Sequence, residues 1–327
     1  MLAIAAPSAG GATAGAPARC VAEVAASGEP VATTVGIRTV TFVDHSRKAI
    51  YHRGVITPRR LVTQIRYPAI GAGVADDVRD APVVPAAAPY PLIVFAPGFA
   101  ETPAIYYRLL DAWTRSGYIV AGVSFPLTTT HVPGGRRRNF DLVNQPRDMS
   151  FVISSMLNDG RDPESFLHGL INDREIGVAG QSDGAATVLA LAEDPRFADP
   201  RVRAAIVLSG AELDQIDDHI QFATTGPALL AVQGTSDLIN EPSATYRYFA
   251  GAPEPKALLR LLGAGHLPPY TRQAPYLGVV ERVTAAFLDH YLLDKPGSLT
   301  RMRDCAAETG TATLTMPSPP GSTPPRR

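Results

Sequence analysis

Three short segments of this 327-residue chain carry side chains whose chemistry is useful only in combination. The first is Gly180-Gln181-Ser182-Asp183-Gly184, which follows an apolar run and opens a stretch of small residues. A serine between glycines two before and two after fits a sharp strand-to-helix turn, where any larger flanking side chain would collide. The second segment is Gly234-Thr235-Ser236-Asp237, one residue beyond the apolar run ending at Val232. The third is Gly263-Ala264-Gly265-His266, directly after Leu261-Leu262. A serine hydroxyl is a weak nucleophile until a base takes its proton. Neutral His266 can accept that proton and return it to a leaving group, and Asp237 can hold the imidazole tautomer and stabilise the imidazolium. The order Ser, Asp, His along the chain matches a strand-end arrangement of this kind. In a chain with 28 glycines a G-x-S-x-G arises by chance roughly 0.1 times, so the strand context adds weight that the motif lacks alone. Glu212 and Asp214 follow another apolar run and stay open as rivals to Asp237. The other six histidines lack comparable context.

A tetrahedral oxyanion needs preorganised donors, each removing roughly 3 kcal/mol of barrier. One expected donor is the backbone N–H of Asp183, the residue after the nucleophile. The second belongs to the turn Ala96-Pro97-Gly98-Phe99-Ala100, where Gly98 permits close approach; the N–H of Phe99 is the first choice and that of Ala100 the alternative. The Asp183 side chain, in the first turn of a helix, reads as a helix-start stabiliser.

These residues must be held by an alternating scaffold. Runs at 36–43 and 61–67 read as two strands joined by a polar connection containing Gly54 and Pro58. Pro91–Ala96 is continuously apolar, as for a parallel strand covered on both faces. A helix over 103–116 places Tyr106, Leu109, Leu110 and Trp113 at spacings of three and four. Further strands fall at 118–124, 175–180, 203–208, 227–232 and 257–262, with helices at 147–157 and 274–293. The pattern predicts an α/β fold: a mostly parallel central sheet with helices on both faces, right-handed crossovers and an antiparallel lead-in. Only residues 210–226 separate two late strands, which leaves little or no room for a cap domain and predicts an open cleft flanked by Phe99 and the 126–145 loop.

Thirty basic and 31 acidic residues leave a net charge of −1, without the basic excess of a nucleic-acid binder. No apolar run is long enough for a membrane-spanning helix. Residues 1–30 hold eleven alanines and little charge, and read as a flexible segment or the remnant of an export signal around Ala16-Pro17-Ala18. A single catalytic domain is expected over 31–305. The tail 306–327, with five prolines in its last eleven residues, is expected to be disordered. The two cysteines, Cys20 and Cys305, have no metal-site spacing; in an exported protein they are expected to form a disulfide joining the two ends. No metal motif or phosphate-binding glycine loop is present, and no cofactor is expected.

On the elbow G-Q-S-D-G, the turn F-A-P-G-F and the G-T-S-D and G-A-G-H turns, the chain resembles the α/β-hydrolase superfamily over residues 36–293. Arg66-Tyr67-Pro68-Ala69 and Asn144-Gln145-Pro146-Arg147-Asp148 are similar to the branch of platelet-activating-factor acetylhydrolases, chlorophyllases and bacterial cutinase-like polyester hydrolases. The resemblance implies a cofactor-free serine carboxylic ester hydrolase, often exported; the open cleft suits short-chain esters, surface-bound lipids or polymer chains, and a monomer is expected. The residue before the nucleophile, commonly His there, is Gln181 here; with Phe99 it is expected to border the substrate. An amidase or peptidase using the same residues is the alternative activity, and a binding protein on a hydrolase scaffold the alternative class.

Overall fold

A computed structural model describes residues 20, 34–71, 77–85, 89–210, 216 and 220–316. β-branched and aromatic residues make β1 (Thr34–Ile50) and β2 (Ile56–Ala69) a long antiparallel pair, with the two-residue β3 (Val78–Arg79) parallel to β1. β4 (Tyr90–Ala96), α1 (Tyr107–Arg115), β5 (Ile119–Ser124), α2 (Gln145–Arg161), β6 (Ile171–Gln181), α3 (Asp183–Glu193), β7 (Val202–Leu208) and β8 (Ala228–Gly234) follow in alternation. The chain continues through α4 (Pro242–Gly251), β9 (Lys256–Leu261), the single-turn α5 (Pro268–Thr271), α6 (Tyr276–Tyr291), α7 (Ser298–Ala307) and β10 (Ala312–Thr315).

All ten strands join one sheet in the order β10-β9-β8-β7-β6-β4-β5-β2-β1-β3. The six strands from β9 to β5 are mutually parallel, flanked by antiparallel β10 on one side and β2 on the other. Strand side chains alternate between the two faces. Leu92, Val94 and Ala96 therefore pack with α2 and α3, while Ile93 and Phe95 pack with α1, α6 and α7. Covered on both faces, β4 is buried at every position, which is why it reads as an unbroken apolar run. From β4 the chain steps to β5 on one side and then to β6 on the other. That reversal opens a crevice at the carboxyl ends of β4 and β6, where such sheets place their ligands.

Several expectations are corrected. The first two strands are longer than their apolar cores, and Pro58 lies inside β2, opposite Lys48 beyond an irregularity in the pairing. The ordered domain runs past the boundary expected at 305: α7 ends at Ala307, and β10 lies in the segment expected to be disordered, hydrogen-bonded along β9. A four-residue edge strand draws its stability from the sheet it joins, so local composition does not reveal it. α4 was likewise unforeseen. The disulfide Cys20–Cys305 is present, with its Cα atoms 4.8 Å apart, and it fastens residue 20 to α7 within the core beside α6. The remainder of segment 1–30, the tail 317–327, and Glu212, Asp214 and His219 lie outside the described residues. Among the described residues no helix is long and apolar enough to cross a membrane.

Candidate active site

The turn from β6 into α3 holds Ser182 at φ 56°, ψ −122°, a conformation that non-glycine residues adopt only where their surroundings impose it. The imposition is visible. A Cβ on Gly180 would collide with the Gly184 carbonyl, and one on Gly184 with the carbonyls of Ala96 and Pro97. The start of α3 is thereby pressed against the turn that follows β4. The Ser182 N–H donates to the Leu208 carbonyl at 3.0 Å, anchoring the elbow to β7.

Neighbouring strands bring up the other two residues. The turns after β8 and β9 are stitched together: Thr235 N–H donates to Leu261 O, Ser236 N–H to Ala264 O, and Gly263 N–H to the Thr235 hydroxyl. A side chain at Gly234 would strike the carbonyls of Ala264 and Gly265. With the two turns in register, His266 Nδ1 lies 2.8 Å from Asp237 Oδ2, and His266 Nε2 lies 3.1 Å from Ser182 Oγ. Asp237 Oδ1 accepts the N–H groups of Ile239 (2.9 Å) and Asn240 (3.0 Å), and Oδ2 also accepts Gln233 Nε2 at 3.2 Å. Burial alone would raise the Asp237 carboxyl; the bond from His266 and the two backbone donors outweigh it and hold the group below the ordinary aspartate value.

Neither a protein-family model nor a curated protein matches the sequence. Among solved structures, a ferulic acid esterase from Streptomyces cinnamoneus is similar, with a TM-score of 0.66 at 22% identity, over 89% of this chain and 98% of that one. The architecture is an α/β-hydrolase fold. Within the hydrolase fold, Ser182, Asp237 and His266 follow β6, β8 and β9 respectively.

The turn after β4 is braced by the 128–130 segment. The Ala100 N–H donates to Thr128 O at 2.8 Å, and the Thr130 hydroxyl donates to Ala100 O at 2.9 Å. Ala100, the alternative oxyanion donor, is therefore engaged, while the Phe99 N–H has no protein partner among the described residues. Asp183 opens α3, whose first N–H groups have no intrahelical acceptor. Gln145, in the segment Asn144–Asp148, links the two sides: its Nε2 donates to the Thr128 hydroxyl and its Oε1 accepts from Thr187 of α3, both at 2.8 Å. In the same segment Asp148, with Asp141, receives the buried Arg59 guanidinium and ties α2 to β2.

Gln181, expected to border the substrate, is fully buried, with Oε1 2.8 Å from the Tyr106 hydroxyl and Nε2 3.3 Å from the His266 carbonyl. The Asp183 carboxyl is not a simple helix-start anion. Burial raises it to about 6, against the pull of His266 and with a further push from Glu101. Asn240 was missed. Its Nδ2 donates to Ser209 O at 2.9 Å and to Ser182 Oγ at 3.3 Å. Its only signal in the sequence is a position three residues after Asp237. Glu212 and Asp214 lie outside the described residues. Among the described residues no group of three or more His, Cys, Asp or Glu is arranged to hold a metal ion.

Proposed function

We propose that the protein is a secreted serine carboxylic ester hydrolase that works through an acyl-enzyme on Ser182. One observation carries the reading: the unbroken hydrogen-bond path from Ser182 Oγ through His266 to Asp237, at 3.1 and 2.8 Å. Ser182 Oγ attacks the ester carbonyl as His266 Nε2 takes its proton, and the ionised Asp237 stabilises the imidazolium. The N–H groups of Phe99 and Asp183 receive the oxyanion. Collapse expels the alcohol, which takes the proton from His266; water then enters by the same route and releases the acid. Asn240 donates to Ser182 Oγ in the resting state and keeps the hydroxyl beside the imidazole.

Leu238 and Ile239, beside Asp237, are 95% and 72% exposed, and Phe99 is 37% exposed. An apolar edge of this kind fits esters with an apolar acyl chain, lipids or polyesters better than a charged metabolite. The segments Arg66–Ala69 and Asn144–Asp148 favour the acetylhydrolase, chlorophyllase and cutinase-like branch. The Cys20–Cys305 bond supports export, because such bonds persist in oxidising compartments. The test is a fluorophosphonate probe followed by an ester panel of rising acyl length that includes a ferulic acid ester and an insoluble polyester. Stoichiometric labelling of wild type and none of Ser182→Ala is expected, with turnover falling roughly 10⁴- to 10⁶-fold in that variant. Ester turnover that survives Ser182→Ala would refute the assignment.

A further inference from the structure

Beneath the candidate site, Glu101, Tyr106 and Gln181 form a chain that the chemistry above does not use. The Tyr106 hydroxyl lies within hydrogen-bonding reach of both Glu101 Oε2 and Gln181 Oε1, and it accepts the Gly98 N–H at 3.4 Å. Gln181 Nε2 faces the His266 carbonyl at 3.3 Å and His266 Nε2 at 3.2 Å. A side chain at Gly98 would strike both Glu101 Oε2 and Gln181 Oε1, so the turn bearing Phe99 rests directly on this chain.

The proton count decides the state of the chain. A backbone carbonyl only accepts, so the His266 carbonyl orients the Gln181 amide with its NH2 toward the histidine and its oxygen toward Tyr106. That oxygen is buried and has no other donor among the described residues, so Tyr106 must donate to it. A tyrosine has one proton. With that proton committed to Gln181, the contact with Glu101 is a hydrogen bond only if Glu101 is the donor.

We propose that Glu101 is a positioning residue that works as a neutral carboxylic acid, heading a one-way chain Glu101–Tyr106–Gln181–His266 that steadies His266 and the Gly98–Phe99 turn. Ionised, it would take back the tyrosine proton, strand the Gln181 oxygen and put negative charge beside the expected oxyanion. The groups facing it are Tyr106, His266 and Asp183; Arg137 reaches the neighbouring 129–130 segment, but it donates to the carbonyls of Thr129 and Thr130. Burial raises the Glu101 carboxyl, outweighing the opposing effects of Tyr106, the Gly98 N–H and His266, and burial holds Tyr106 well above its ordinary value, so the phenol stays a donor.

The kinetic arm of the test rests on the ester-hydrolase reading; the spectroscopic arm needs no turnover. Wild type minus Glu101→Gln infrared difference spectra should contain a protonated-carboxyl stretch that titrates away as the pH is raised. Glu101→Ala and Tyr106→Phe should each lose about tenfold in kcat with KM little changed, one hydrogen bond's worth. Glu101→Gln, whose amide can donate to Tyr106, should recover most of the loss from Glu101→Ala and lack the alkaline decline that wild type shows as Glu101 ionises. Absence of the carboxyl band, or a Glu101→Gln variant no better than Glu101→Ala, would overturn the proposal. If Ser182→Ala retained turnover while the band was present, the hydrolase reading would fail and the proton assignment would survive.

Discussion

Replacing Asp237 by Asn tests the order of events at the candidate site, because the structure dictates how the new amide must sit. Asp237 Oδ1 receives two backbone N–H groups, from Ile239 and Asn240, and Oδ2 faces His266 Nδ1 and Gln233 Nε2. An asparagine keeps its single oxygen where two backbone donors need it, which points its NH2 at His266 and at Gln233 Nε2, whose N–H groups retain the carbonyls of Gly234 and Asn240 as acceptors. Nδ1 must then accept, the ring proton moves to Nε2, and Nε2 cannot take a proton from Ser182. Restoring the active tautomer requires turning the amide and leaving two backbone donors unpaired, at about 1–3 kcal/mol each. The total of about 2–6 kcal/mol corresponds to roughly 30- to 3 × 10⁴-fold in rate, before the lost stabilisation of the imidazolium is added. A fall in kcat of about 10⁴-fold is therefore expected with the fold intact, as in the serine-protease variant with the same exchange. The assay is steady-state hydrolysis of a short p-nitrophenyl ester beside a thermal melt. If Asp237→Asn kept more than about a tenth of wild-type kcat, the tautomer argument would fail, and Glu212 or Asp214 would inherit the role.

Gly184→Ala should abolish fluorophosphonate labelling and cost roughly 1–3 kcal/mol or more in a denaturant melt, because the new methyl meets the carbonyls of Ala96 and Pro97. Cys305→Ser removes the Cys20 link across 285 positions and should cost about 2–5 kcal/mol, read as a lowered melting temperature that wild type reproduces on reduction. Glu193 is buried, its carboxylate oxygens have no partner among the described residues, and burial raises it to about 7 against the pull of Lys256. The folded state then holds the proton more tightly than the unfolded chain, so wild-type stability falls as pH rises from about 4.5 to about 7. Glu193→Gln should lose that component of the slope, worth about 3 kcal/mol across the window, in urea melts at pH 5 and pH 8; identical pH slopes in the two proteins would contradict it.

The α/β alternation was legible because a strand buried on both faces reads as an apolar run, and β4, β7 and β8 are buried at nearly every position. The elbow was legible because only glycine fits at 180 and 184, a constraint on local backbone that composition cannot disguise. With Glu212 and Asp214 open as rivals to Asp237, residue types, turn glycines and strand context pointed to Ser182, Asp237 and His266 as candidates. Their meeting was not written locally: it depends on β8 and β9 being neighbours and on hydrogen bonds between the turns that follow them. The same holds for Gln181, whose place beside the serine in sequence does not reveal that its side chain is buried and bonded to the Tyr106 hydroxyl. Asp183 drew its helix-start reading from position, yet its protonation is governed by burial. Asn240 and β10 gave little sign at all, because one acts through a hydrogen bond to a residue 58 positions away and the other exists only along β9. Local sequence thus specified which groups and turns the protein owns. Sheet order and close packing, which join residues far apart in the chain, decided which of them face each other and which carry a proton.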